Sequence, residues 1–295
     1  MLVRTKYIGG SDIAKLCGVS PYGNEATVWL EKTGKHQTSV DNRFTEWGKR
    51  LEETIKKAFY DNHPELLSTC TSRKYIHPKF DFIGGEVDDT YQDMTAPRNG
   101  VLEIKTTSQY NDKEWEDGKC PDHYALQVQW YLMLTGFTEA YLVVLIGGSD
   151  YREIKIVANP ELQNNMLSIA CNFWNNYVVP NVMPPITEAD GDTLKLLYPK
   201  EVVSKAVIVK DYNADFVSKI KSKQTEIDKL LKEVEGMKNQ IKSAIGDAAI
   251  GVIDGKWVAE YTTVDCAGYT VAPKSYRKLT FKLIEKYKGL LPEGV

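Results

Sequence analysis

Glu103 and Lys105 stand two apart in the apolar run VLEIKTT, and Asp88 closes the preceding apolar run, FIGGEVDD. A strand sends residues i and i+2 to the same face. Glu103 and Lys105 therefore share one face, and Leu102 and Ile104 take the other. If the two runs pair as a hairpin, Asp88 approaches the acidic face. Two carboxylates and an ammonium on a half-buried sheet face are costly without a partner. A divalent cation would supply one: Mg2+ is commonly held by one or two carboxylates together with water and substrate phosphate. An E-x-K tripeptide alone is ordinarily a solvated charge pair, so the case for chemistry rests on what the rest of the chain places beside it.

The elements that must position these groups can be read from period and punctuation. Three extended segments are expected at 71–77, 80–88 and 100–106, with turns at Pro78-Lys79 and at PRNG (97–100). Before them, FTEWGKRLEETIKKAFYDNHPE carries Trp47, Leu51, Ile55, Ala58 and Phe59 at helical spacing. Glu52 lies at the border of that stripe, where it could reach a metal held by a neighbouring sheet, while Glu53 beside it faces solvent. After them, PDHYALQVQWYLMLTG reads as a helix with Pro121 early and Gly136 at its end. Gln127 borders its apolar face of Tyr124, Val128, Tyr131, Leu132 and Thr135; Gln129 points elsewhere. Two strands, AYLVVLIGG and YREIKIV, and a helix over 160–180 follow. At the N-terminus, SDIAKLCG is a short helix stopping at Gly18, and VSPYGNEATVWLEKTG a second, with Asn24 as its cap and Gly34 as its stop. Ser11 follows Gly9-Gly10, with Arg4 upstream; it can cap the helix or help hold an anion there, and both readings stay open.

In this order (helix with a border Glu, strands with Asp88, strand with Glu103-Ile104-Lys105, helix with Gln127, then a strand) the chain resembles the PD-(D/E)xK nuclease core. More narrowly, it is similar to the YqaJ-like viral recombinase family, relatives of lambda exonuclease. The likeness is carried over residues 1–180 by IGGSDIAKLCGVSPYGN, WGKRLEE, GGEVDDT, VLEIKTT and the helix YALQVQWYLMLTG leading into AYLVVLIGG. It implies an α+β (α/β) fold with a central mixed sheet flanked by helices. It implies Asp88, Glu103 and Lys105 as the D…E-x-K signature, Glu52 as the helix glutamate and Gln127 as the helix glutamine. One or two Mg2+ ions (with Mn2+ able to substitute) would be bound by Asp88, Glu103, Glu52 and the Ile104 backbone carbonyl. Arg4 and Ser11 match the positions that hold a substrate 5′-phosphate. The implied activity is digestion of linear double-stranded DNA from a 5′-phosphorylated end, leaving a 3′ single strand for a single-strand annealing protein. A homotrimer is implied by analogy, as is a phage or prophage gene expressed in a bacterial cytosol. Where the family has Pro-Asp-Gly, this chain has Val87-Asp88-Asp89, which makes Asp89 a rival for the metal. The other readings are a restriction- or repair-type endonuclease on the same core, and a non-catalytic DNA-binding or assembly factor.

Composition narrows the classes further. The 295 residues carry a net charge of −3, mild grounds against indiscriminate nucleic-acid binding. Five cysteines without a C-x-x-C, and four histidines without ligand spacing, argue against a disulfide framework, a zinc site and an iron–sulfur cluster. No run approaches the roughly 18 apolar residues of a membrane span, and MLVRTKYIGG lacks the apolar region of a signal peptide; a cytoplasmic protein is expected.

The nuclease domain is placed at 1–185 and a proline-rich linker at 186–211. A long helix from 212, with a small β and basic region to 295, forms a helical C-terminal extension. In that helix Ile220, Ile227, Val234, Ile241 and Ala248 recur every seven residues, as do Leu230, Met237 and Ala244. Lys223 falls in the second row and Gly236 interrupts the helix, so packing or a helical hairpin is expected rather than an autonomous coiled coil. A hairpin follows around Asp254-Gly255, then a basic run over 274–288 that could contact DNA backbone.

Overall fold

A computed structural model describes residues 4–36, 43–201, 206–254 and 256–263. The chain forms two units, Met1–Leu197 and Tyr198–Val295. The basic run 274–288 and Cys266 lie outside the described residues.

The first unit begins with a 3-10 turn, Arg4–Lys6, and three helices: α1 (Gly10–Leu16), α2 (Glu25–Lys32) and α3 (Arg43–Asn62). Five strands follow: β1 (Leu66–Ser68), β2 (Arg73–His77), β3 (Phe80–Val87), β4 (Asp89–Asp93) and β5 (Asn99–Thr107). Helix α4 (Asp122–Thr135) crosses over to β6 (Glu139–Ile146), then come β7 (Asp150–Val157), α5 (Pro160–Phe173) and α6 (Gly191–Leu197). The central sheet runs β1-β4-β5-β6-β7 and is mixed. Only β5 and β6 are parallel, and a parallel pair needs a crossover such as α4 supplies. Strand β6, EAYLVVLI, is apolar because it lies mid-sheet under helices on both faces. The fold is therefore the helix-flanked mixed sheet expected from the sequence.

Strand β5 divides its side chains by period two. Val101 joins the core under α4, with Ile8, Ile13, Trp29, Trp130 and Leu142. Leu102 and Ile104 join the other core, formed by Ile55 and Phe59 of α3 with Tyr91 and Val143. Helix α4 starts after Pro121 and ends at Gly136, which takes φ 71° where a left-handed residue closes the last turn.

Two features differ from the sequence expectation. The partner of β5 in the hairpin is not the run ending at Asp88 but β4, DTYQD; β3 pairs instead with β2 in a separate ribbon. Strand β4 has no apolar alternation because its buried Asp89, Thr90 and Asp93 are satisfied by hydrogen bonds rather than by apolar packing. The stretch 186–211 is not all linker either. Asp190, buried, accepts from Asn24 Nδ2 at 2.8 Å and from the Thr187 N–H at 2.7 Å, which docks α6 on the first unit.

The second unit contains α7 (Ala214–Ile245), capped by Asn213, and the hairpin β8 (Ile250–Ile253) and β9 (Trp257–Glu260). No helix among the described residues is long and apolar enough to cross a membrane.

Candidate active site

The register of β4 and β5 builds the centre of the site. Asp89 pairs with Leu102, the last step of the ladder, so Asp88 falls just beyond it, abreast of Glu103. The Ile104 N–H donates to Asp88 Oδ2 at 2.9 Å, which fixes that carboxylate against β5. On the α4 face of β5, Glu103 is 1% exposed. Its Oε1 accepts from Lys105 Nζ at 2.5 Å and from Gln127 Nε2 at 2.8 Å. Gln127 also donates to the Tyr131 hydroxyl at 3.0 Å. The other oxygen, Glu103 Oε2, is buried and has no hydrogen-bond partner.

This is an expensive arrangement in the absence of a cation. Burial and the charge of Asp88 push the Glu103 carboxyl up to about 8, against the opposing pull of Lys105. Burial disfavours the Lys105 ammonium, but Glu103 and Asp88 outweigh it and hold the amine protonated. The ammonium also sits 5.3 Å from the centroid of the Tyr124 ring. Glu52, half-buried on α3, is raised by burial and then by Asp88. It therefore faces the same acidic centre from the opposite layer.

The two doubled acids separate cleanly. Asp89 is fully buried, and it accepts from Tyr60 Oη at 3.0 Å, Ser68 Oγ at 2.7 Å and the Thr90 N–H at 2.8 Å. Those bonds occupy it with α3 and β1, and only Asp88 reaches Glu103. Glu53 is exposed and paired with Lys56.

Among the described residues no three His, Cys, Asp or Glu side chains close around a point tightly enough to enclose an ion by themselves. The donors that do converge still suit a hard cation: two carboxylates, one of which keeps a buried oxygen without a partner, and no sulfur or imidazole among them. Asp88, Glu103 and the Ile104 carbonyl could hold Mg2+ there if water and substrate phosphate complete its shell, with Glu52 reaching it through water or a second ion.

Arg4 and Ser11 are also brought together. Arg4 Nη2 donates to Ser11 Oγ at 3.0 Å, and Arg4 Nε lies 3.2 Å from Glu31. The segment bearing them abuts the site: a Cβ on Gly10 would lie 2.9 Å from both Gln127 Cγ and the Tyr131 ring. Helix α1 is only seven residues long, so an anion held here would meet the Arg4 side chain rather than a helix dipole.

Sequence reasoning missed the group that anchors this corner. Asp12 and Lys32 form an ion pair of 2.7 Å with side chains 1% and 0% exposed. Asp12 Oδ2 also accepts from the Gly9 N–H at 2.9 Å, and Lys32 Nζ donates to the Arg4 carbonyl at 3.0 Å. The sole signal was Asp12 itself, which reads equally well as a helix cap. Tyr131 was placed on the apolar face of α4 without its hydroxyl's role, although it follows Gln127 by one helical turn.

Residues 1–138 match the YqaJ-like viral recombinase domain family. The uncharacterized protein YqaJ of Bacillus subtilis (strain 168) is 31% identical over 262 residues, covering 86% of this chain and 79% of its own length. Among solved structures, the alkaline exonuclease LHK-Exo from Laribacter hongkongensis superposes with a TM-score of 0.48 at 16% identity, over 58% of this chain and 88% of that one. A phage related exonuclease from Haemophilus somnus 129PT gives 0.42 at 14% identity, over 59% and 96%.

Proposed function

This chain belongs to the YqaJ-like viral recombinase family, and on that premise we propose that it is a Mg2+-dependent nuclease. In this reading it digests linear double-stranded DNA from a 5′-phosphorylated end and leaves a 3′ single strand for an annealing protein. The observation that carries the proposal is Glu103. It is buried beside Asp88 with one oxygen tied to Lys105 and Gln127 and the other without a partner.

Hydrolysis forms a bond from water oxygen to phosphorus and breaks the bond from phosphorus to O3′; one proton leaves the water and one reaches O3′. A bound dication would supply charge neutralisation on the phosphate and a lowered pKa for water. The chain's own groups do the rest. Asp88 and Glu103 present hard oxygens at a fixed separation. Lys105, whose ammonium Glu103 and Asp88 favour over the pull of burial, is placed to orient the attacking water or to donate to a phosphate oxygen. Gln127 keeps Glu103 Oε1 turned away from the ligand side. Arg4, more than half exposed and next to Ser11, offers a guanidinium to a terminal phosphate.

The test is digestion of end-labelled linear and closed circular duplex, with and without Mg2+, by the native chain and by Glu103→Ala. Loss of the linear substrate only, with Mg2+ and with native protein, is expected. Cutting of closed circles would make it an endonuclease, and an active Glu103→Ala would place the chemistry elsewhere.

A further inference from the structure

Tyr22 is 68% exposed, yet the turn that carries it, between α1 and α2, is firmly held. The Tyr22 N–H donates to Ser20 Oγ at 3.2 Å. Gly23 takes φ 142° and is seated so closely that a Cβ there would collide with the Thr27 side chain. Asn24 closes the turn: its side chain accepts from the Thr27 N–H at 3.2 Å and donates to the buried Asp190 at 2.8 Å. An exposed ring alone means little. One fixed on a rigid turn beside a candidate active site is pre-organised for contact.

The ring also ends a row of aromatic contacts that leads into the centre of the site. Tyr22 meets the His123 ring edge-on, with centroids 5.5 Å apart. His123 lies against Tyr124 at 4.0 Å, and the Tyr124 ring lies 5.3 Å from Lys105 Nζ. Buried Trp115 backs Tyr124 at 5.6 Å. Tyr22 is thus the solvent-facing end of a row whose inner end touches the lysine of the E-x-K strand.

Resting on the nuclease reading above, we propose that Tyr22 stacks on the terminal base of the DNA end being digested. Every base has a π-face that an aromatic ring can cover without regard to sequence. Inside a duplex both faces of each base are covered by its neighbours, and only the terminal pair leaves one free. A ring beside the metal site that takes this free face selects an end, and does so whether or not the end carries a phosphate. Tyr22 and Arg4 would then read different features of the same end, the base and the phosphate. Stacking favours the ground state and the transition state alike, so its loss falls on KM rather than on kcat.

The experiment compares the full native chain with Tyr22→Ala and Tyr22→Phe on blunt duplexes that carry 2-aminopurine either as the 5′-terminal base or well inside. Fluorescence is read with Ca2+ in place of Mg2+, and cleavage kinetics are followed in Mg2+. The native chain and Tyr22→Phe should quench the terminal probe and leave the internal one unchanged; Tyr22→Ala should quench neither. Tyr22→Ala should also raise KM by about 10-fold, with kcat little changed and with the same ratio of rates on phosphorylated and hydroxyl ends. Equal quenching by native and Tyr22→Ala chains, or a terminal probe that the native chain leaves bright, would overturn the proposal and leave the nuclease reading standing. A Tyr22→Ala chain that loses its preference for phosphorylated ends would make the turn a support for Arg4 and would also overturn it. A native chain that neither binds nor cuts linear duplex would bring down the nuclease reading and this inference with it.

Discussion

Asp88 and Ile104 are joined by a single hydrogen bond, from the Ile104 N–H to Asp88 Oδ2 at 2.9 Å. The bond extends the β4–β5 ladder by one step through a side chain, and so places a carboxylate between the positions of Glu103 and Lys105. Asp89, one residue on, spends its oxygens on Tyr60, Ser68 and its neighbour's N–H. The two acids should therefore fail differently. Asp88→Ala should abolish Mg2+-dependent cleavage with a near-native denaturation midpoint. Asp89→Ala should lower stability by about 1–3 kcal/mol, since it strands buried donors, and leave cleavage by the folded fraction largely intact. Urea titration alongside cleavage assays separates them, and the reverse pattern would move the metal to Asp89.

Glu103 gives the pH dependence. A carboxyl raised to about 8 in the folded chain binds its proton more tightly than in the unfolded chain, where it titrates near 4.3. Its contribution to stability is present in full below about pH 4 and is lost as pH rises through about 8. A cation requires the ionised form, so binding should release a proton below pH 8 and strengthen as pH rises toward it. Calorimetry of Mg2+ binding in buffers of different ionisation enthalpy should show that proton. Glu103→Gln should remove both the proton and the high-pH loss of stability; an unchanged profile in that variant would assign the titration to another group.

The part of this site that could be read from the sequence is the part governed by period. Glu103 and Lys105 share a face because strands alternate, and Gln127 falls on the α4 side because helices return every 3.6 residues. What escaped was polar burial. Strand β4 looks like loop because Asp89, Thr90 and Asp93 are hydrophilic, yet partners on α3, β1 and the turn after it pair them inside. Nothing in the local sequence marks Lys32, and only the tertiary fold brings Asp12 to it. The hydrogen bonds that justify such residues join positions distant in the chain, and a local pattern carries no trace of them.

Gln127 acts through Glu103, so its loss should weaken the site without emptying it. Gln127→Ala should reduce metal affinity or cleavage by about 10–100-fold, the usual size for a group that orients a ligand. Gly10→Val should do the same from a distance, because a Cβ there meets Gln127 and Tyr131 at 2.9 Å. Mg2+ titrations of cleavage rate measure both. A Gly10→Val chain of native rate and affinity would mean that α1 does not set the Gln127 position.

Arg4 should govern choice of end. With Arg4→Ala, digestion of 5′-phosphorylated duplex should slow toward the rate on 5′-hydroxyl duplex, while the hydroxyl substrate is little affected. Competition between the two labelled ends reads the ratio directly. Equal preference in native and variant chains would remove Arg4 and Ser11 from the phosphate.

The buried Asp12–Lys32 pair supports that same corner. Burial pushes the Asp12 carboxyl up, but the charge and hydrogen bond of Lys32 and the Gly9 N–H more than reverse this and hold it below the usual carboxylate range. Lys32→Met leaves that carboxylate inside with its cation gone, at a cost of about 3–5 kcal/mol. Asp12→Asn/Lys32→Met should recover much of the loss, because no charge is then stranded. Recovery of function should be less complete. Lys32 Nζ also holds the Arg4 carbonyl at 3.0 Å, and methionine cannot, so the double variant should fold yet discriminate poorly between phosphorylated and hydroxyl ends. If it folds and discriminates like the native chain, the pair serves stability alone and Arg4 is positioned by Glu31 and Ser11.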